Sequence, residues 1–219
     1  MARAGLILAA TLGLMEGKIR PGVSTAELDR AAERFIRSRG AKPTFKGYRG
    51  FPGSICASPN AMIVHGIPGP YKLQRGDVIS IDVGVTQCVA GNRLGDVSNA
   101  IQHVAERAGL SVVRSLVGHG VGRNMHEDPQ VPNFGKPGKG PLLEEGMVLA
   151  IEPMTTAGRA AVRVAGDGWA IFSQDSSPAA HFEFTVAITA DGPRILTPWH
   201  LAPGERTAGP VPQGAAGTG

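Results

Sequence analysis

Apolar residues recur at helical spacing in three stretches of the chain. In the first, Arg3 precedes the run Leu6-Ile7-Leu8-Ala9-Ala10. Thr11 and Gly13 break the run, and it passes into Glu16-Gly17-Lys18 without a cleavage site, so it predicts an amphipathic helix rather than a leader peptide. In the second, Ser24-Thr25-Ala26-Glu27 has the form of a capping box. Leu28, Ala31, Ala32, Phe35 and Ile36 follow on one helical face to a stop at Gly40. The third runs from Asp96 to Ala108, with Val97, Ile101, Val104, Ala105 and Ala108 as its inner face. Strand-like runs are predicted at Ser54 to Ser58, Met62 to Val64, Val78 to Val85, Ser111 to Val117 and Met147 to Ile151. Others are predicted at Val162 to Val164, Ala170 to Phe172, Phe182 to Thr189 and Arg194 to Leu196. Helices covering a mostly antiparallel sheet make an α+β layout. From Ala202 to Gly219 the chain has no apolar pattern and reads as a disordered tail, which leaves one domain over residues 1–200 and a tail over 201–219.

Composition narrows the class. With 219 residues, 42% hydrophobic and 18% charged, the chain can bury a substantial core. Lys and Arg number 22 against 18 Asp and Glu, a net charge of +4, and the basic residues are scattered, so nothing local supports nucleic-acid binding. No run approaches the ~20 apolar residues of a membrane span. Cys56 and Cys88 are too few for a disulfide framework or a structural zinc cluster, which fits a reducing cytoplasm.

Four residues stand where a bland explanation is difficult. Asp82 lies inside the apolar strand Val78-Ile79-Ser80-Ile81-Asp82-Val83-Gly84-Val85, and burying a lone carboxylate there is costly. His119 sits among glycines in Gly118-His119-Gly120-Val121-Gly122. Glu152 ends Met147-Val148-Leu149-Ala150-Ile151 just before Pro153, and Glu183 lies in Phe182-Glu183-Phe184-Thr185-Val186. Taken singly, each could be a satisfied buried polar group. As a set, three carboxylates and one imidazole from different strands make an oxygen-rich site suited to Mn, Fe, Co or Zn.

These motifs, taken in order, resemble the type I methionine aminopeptidase family of the pita-bread (creatinase/aminopeptidase) fold. Further matches are Arg20-Pro21-Gly22-Val23-Ser24-Thr25, Tyr48-Arg49-Gly50-Phe51-Pro52-Gly53-Ser54-Ile55-Cys56 and Val64-His65-Gly66-Ile67-Pro68. Gly76-Asp77-Val78-Ile79-Ser80-Ile81-Asp82, Gly118 to Arg123, His126-Glu127-Asp128-Pro129, Ile151-Glu152-Pro153-Met154 and Asp167-Gly168-Trp169 complete the series. The resemblance implies a hydrolase, a metallo-aminopeptidase, that removes the N-terminal methionine of nascent polypeptides with a water bridged between two divalent metals as nucleophile. It implies Asp82, His119, Glu152 and Glu183 as metal ligands and His65, His126 and Glu152 as catalytic groups. Glu152 takes the nucleophile's proton, His126 hydrogen-bonds the scissile carbonyl, and His65 contacts the substrate backbone. Tyr48, Phe51, Cys56, Met125 and Trp169 fall where the family has its apolar methionine pocket, with His65 and His126 beside them. It further implies a monomer in the cytoplasm, working close to the ribosome, with no specific nucleic-acid or membrane partner.

The chain departs from the family in one place above all. The family's second aspartate bridges the two metals after a short hairpin, but here Ile81-Asp82-Val83-Gly84-Val85-Thr86 runs straight into Gln87-Cys88-Val89-Ala90-Gly91-Asn92, which resembles a much later helix entry. Several dozen residues of the family have no counterpart in this chain after Thr86, among them one hairpin strand, the bridging aspartate and one long helix. Asp96, in Gly95-Asp96-Val97-Ser98, looks like the missing aspartate but reads better as an N-cap or first-turn residue. Phe184 stands where a histidine commonly follows the metal glutamate, and the family usually has more chain before the first helix. Without the bridge, three protein ligands remain for one metal and two for the other. The expectation is a single, weakened metal at His119, Glu152 and Glu183 with reduced activity. The alternatives are a non-catalytic polypeptide-binding module of the same fold or a degenerate paralogue, and a relative that cleaves before proline. The Tyr48 to Cys56 loop and Asp167-Gly168-Trp169 favour methionine over proline.

Overall fold

The structure is a computed structural model and describes residues 2–77 and 88–198. The predicted strand Val78 to Val85, with Asp82, lies outside the described residues, as does the stretch predicted as a tail. Two helices open the chain, α1 (Ala2–Glu16) and α2 (Thr25–Ser38). The capping box forms as predicted: the Glu27 N–H donates to Ser24 Oγ at 3.2 Å and the Ser24 N–H donates to Glu27 Oε2 at 2.8 Å. Leu28, Ala31 and Ala32 of α2 bury their stripe with Met15 of α1 and with Leu73. No helix among the described residues is long and apolar enough to cross a membrane.

Among the described residues all the strand pairings are antiparallel. The central five-stranded sheet has the order β11 (Gly192–Ile195), β10 (Phe184–Thr189), β5 (Val148–Ile151), β3 (Val117–Gly120), β4 (Glu127–Pro132). Along β10, Phe184, Val186 and Ile188 are buried while the residues between them are half-buried. They form one core with Leu149 and Ile151 of β5 and with Leu94, Val97 and Ile101 of α3 (Leu94–Arg107). The described residues form two further sheets of three strands, β2 (Ser111–Val112), β6 (Met154–Thr156), β9 (Ala179–His181) and β1 (Met62–Val64), β8 (Ile171–Ser173), β7 (Val162–Val164). Ile63, Val64, Val113, Met154 and Ala179 form the core between them.

Several expectations need correction. Ser54 to Ser58 is no strand, because its backbone donors are taken elsewhere: Ser54 and Ile55 donate to Asp29 Oδ1 at 2.7 and 3.0 Å, and Ala57 donates to the Gly66 carbonyl at 2.9 Å. The run Ser111 to Val117 divides into β2 and the start of β3, which belong to different sheets. The predicted strand from Phe182 begins at Phe184 instead, with a separate β9 before it. α3 starts two residues ahead of Asp96. β4, β6 and β9 were not foreseen. β4 carries Glu127, Asp128, Pro129 and Pro132 and lies at the sheet edge, where proline is tolerated and alternation is weak.

Candidate metal centre

The site stands where two antiparallel strands cross between sheets. β5 and β10 pair Ile151 with Phe184, and β6 and β9 pair Met154 with His181. Both ladders follow one continuous register, so Glu152 falls opposite Glu183 and Pro153 opposite Phe182. The Phe182 N–H donates to the Pro153 carbonyl at 3.1 Å, which holds the crossing together. Pro153 has no N–H to give, so the ladder is interrupted where the strands leave the five-stranded sheet. Two carboxylates directly opposite one another are unfavourable unless a cation or a proton intervenes.

Imidazoles flank that pair. His119 on β3 is in register with Ala150 of β5, two residues before Glu152 and on the same face. Its Nε2 lies 3.2 Å from Glu152 Oε1, and the Nε2 of His181 lies 3.2 Å from Glu152 Oε2. The Nδ1 of His119 is 2.8 Å from the Gly120 carbonyl. Donation from Nδ1 to that carbonyl leaves Nε2 as the nitrogen facing the carboxylates.

The electrostatics follow from this geometry. Burial alone raises the Glu152 carboxyl, but the hydrogen bonds from His119 and His181 outweigh it and hold Glu152 well below the usual carboxylate range. Glu183 lies deep among protein atoms, yet the residue remains exposed to water. Desolvation first, and the charge of Glu152 second, push its carboxyl up. Burial disfavours the charged form of His119, yet Glu152 and the Gly120 carbonyl raise it above the ordinary imidazole value. The pair behaves as one carboxylate held ionised and one that resists ionisation, the condition a bound cation relieves.

Glu152, His181 and Glu183 each offer one ligand atom within 4.8 Å of the others. His119 lies outside that group of three and reaches it through Glu152 Oε1 at 3.2 Å; oxygen and nitrogen donors of this kind suit a divalent transition metal. Sequence reasoning missed His181. Its signal was the alternation His181-x-Glu183, which puts both side chains on one face of an extended chain.

The remaining predicted site residues gather in two groups. The His126 ring lies 3.9 Å from the His119 ring, centroid to centroid, and stacks on Tyr48 at 5.6 Å. Tyr48 Oη is 3.1 Å from His126 Nδ1. Desolvation and then the neighbouring His119 lower the His126 imidazole below its ordinary value, so it is neutral near pH 7. In the second group the buried Phe51 meets Trp169 edge-on at 5.1 Å, and His65 meets the same indole at 6.4 Å. His65 adopts a left-handed backbone with φ of 57°, a strained conformation for a residue other than glycine. The Cys56 thiol, pushed up to about 12 by burial and next by Glu183, is an uncharged wall near the carboxylates. Met125 is half-buried beside His126 in the sequence. Asp96 lies in the first turn of α3, where its two oxygens accept N–H groups of Arg93 and Gly138, each at 2.8 Å. Both oxygens are engaged in structural hydrogen bonds, in keeping with a first-turn residue.

A model of metallopeptidase family M24 matches residues 1–88 and 84–190, in two pieces that meet where the sequence analysis places the missing stretch. The methionine aminopeptidase of Clostridium perfringens is 47% identical over 236 aligned residues, covering 90% of this chain and 94% of that protein. Methionine aminopeptidase 1 of Bacillus subtilis is 45% identical, with the same coverage of 90% and 94%. The crystal structure of methionine aminopeptidase from Rickettsia prowazekii superposes with a TM-score of 0.86 at 33% identity, over 90% of this chain and 94% of that one. Since 90% of the 219 residues is about 197, about 39 of the 236 positions aligned with the Clostridium protein have no counterpart here.

Proposed function

Because the chain belongs to metallopeptidase family M24, in its type I methionine aminopeptidase branch, we propose that it takes the N-terminal methionine of a polypeptide as substrate and holds one divalent cation, more weakly than an intact two-metal relative. The observation that carries this reading is the continuous register that sets Glu152 opposite Glu183, with His119 Nε2 at 3.2 Å from Glu152. His119, Glu152 and Glu183 would hold the cation. When bound, it supplies a Lewis acid and lowers the pKa of its water toward neutrality.

The chain's own residues then have the following work. Glu152, ionised and hydrogen-bonded on both oxygens, is the acceptor for the nucleophile's proton. His126, neutral and tethered by Tyr48 through Nδ1, presents its other ring nitrogen to the carbonyl oxygen of the scissile bond as charge builds there. His65 meets the substrate backbone from the strained loop. Phe51, Trp169, Tyr48, Cys56 and Met125 receive the thioether side chain, for which apolar and polarizable walls are suited. The catalytic unit spans 1–200 and works as a monomer in the cytoplasm near the ribosome, where new N-termini emerge.

Two facts support weakened metal binding: the family match breaks at 84–88, and about 39 aligned positions are absent. The ligand count leaves three protein donors where the family has four, and turnover is expected well below that of intact relatives. The experiment is metal analysis after purification in defined manganese or cobalt, followed by hydrolysis of a Met-Gly peptide. Slow release of methionine that depends on added metal supports the reading. Metal binding without release on a Met-Gly or an Xaa-Pro peptide favours the polypeptide-binding module, and release from Xaa-Pro alone favours proline specificity.

A further inference from the structure

This inference rests on the reading above, because it takes Glu152 and Glu183 as the carboxylates of the cation site. His181 closes β9 two residues before Glu183, so the two side chains leave the strand on one face. Its Nε2 lies 3.2 Å from Glu152 Oε2, while His119 Nε2 lies 3.2 Å from Oε1 of the same carboxylate. Glu152 is thus held between two imidazoles contributed by different sheets, β3 of the five-stranded sheet and β9 of a three-stranded one. A metal with ligands at roughly 2.0–2.2 Å spaces its donor atoms about 3 to 4.4 Å apart. The donor atoms of Glu152, His181 and Glu183 already lie within 4.8 Å of one another, so small rotamer adjustments would close a coordination shell around them.

We propose that His181 is a direct ligand of the cation in this chain, binding through Nε2 beside Glu152 and Glu183. It raises the protein donors for one ion from three to four, with two nitrogens and two carboxylate oxygens. Such a set favours cobalt, iron and zinc over manganese and magnesium, because imidazole is a poor match for the hardest ions. The alternative role for His181, a hydrogen-bond donor that only orients Glu152, also weakens metal binding when removed. Affinity alone therefore does not separate the two roles.

Paramagnetic NMR of the cobalt-loaded full chain does. An imidazole bound to cobalt gives a strongly shifted exchangeable N–H signal, and one that merely hydrogen-bonds to a ligand does not. Two such signals are expected in the wild type. One should vanish in H181Q, which keeps a hydrogen-bond donor for Glu152, and the other in H119A. Titration of the same samples should show cobalt affinity falling at least tenfold in H181Q, with manganese less affected, and circular dichroism verifies folding. A single shifted signal, lost in H119A and kept in H181Q, overturns the assignment and leaves the aminopeptidase reading intact. Failure of the wild type to bind cobalt at all overturns both.

Discussion

Replacing Glu183 by Gln separates the stability of the metal-free protein from its affinity for metal. Glu152 and Glu183 place carboxylate oxygens within 4.8 Å of one another. Two unit charges at that distance repel by roughly 1 kcal/mol in water and by about 3 kcal/mol at an effective dielectric of about 20. Glu183 is exposed to water, so the lower part of that range applies and about 1–2 kcal/mol is expected. At pH 8 metal-free E183Q should melt about 2–8 °C above metal-free wild type, at the usual 2–4 °C per kcal/mol for a domain this size. The Glu183 carboxyl is raised in the folded state, so ionising it opposes folding. The penalty is therefore absent below the unfolded carboxyl value and grows as pH rises through the folded one, and the advantage of E183Q should vanish at pH 4.5. Manganese at a hundredfold excess over its dissociation constant stabilises the wild type by about 2.7 kcal/mol and should leave E183Q nearly unmoved. Differential scanning fluorimetry with chelator and with manganese measures both effects. Metal-free E183Q melting below wild type at pH 8, or rising with manganese as wild type does, would refute the reasoning.

Other consequences are open to direct measurement. Trp169→Ala removes the indole packed on Phe51 and His65 and should weaken binding of free L-methionine about tenfold by calorimetry, a loss of roughly 1.4 kcal/mol of pocket contact. His126 should be neutral at pH 7 with its proton on Nε2. Tyr48→Phe, which removes the partner at 3.1 Å, should shift the tautomer balance seen in the nitrogen-15 spectrum of its ring. Ser24→Ala breaks the capping box of α2 and should cost about 1 kcal/mol, or about 2–4 °C in melting temperature, with cation affinity unchanged.

The parts of the fold that were legible in the sequence are those where a local signal and the tertiary environment agree. The capping box at Ser24 and the alternation of Phe184, Val186 and Ile188 are of this kind, because each bears on burial within its own element. Ser54 to Ser58 misled because its apolar letters look extended, while its donors are claimed by Asp29 on a helix 25 residues earlier, a partner no local window contains. β4 was hidden by two prolines that only an edge position allows. For the site, His119, Glu152 and Glu183 stood out as polar groups in apolar or glycine-rich strands. His181 did not, since it lies at the end of β9 and acquires its meaning only when the strand crossing places it against Glu152. The pairing of Tyr48 with His126, 78 residues apart, was equally beyond local reading.

The claim on which everything turns is that Glu152 and Glu183, with His119, bind a single divalent cation. Isothermal titration of the metal-free chain with cobalt or manganese tests it most directly, with E183Q titrated in parallel. One site per chain, abolished in E183Q, is the predicted result. No binding, binding that survives E183Q, or two tight sites per chain would contradict the account.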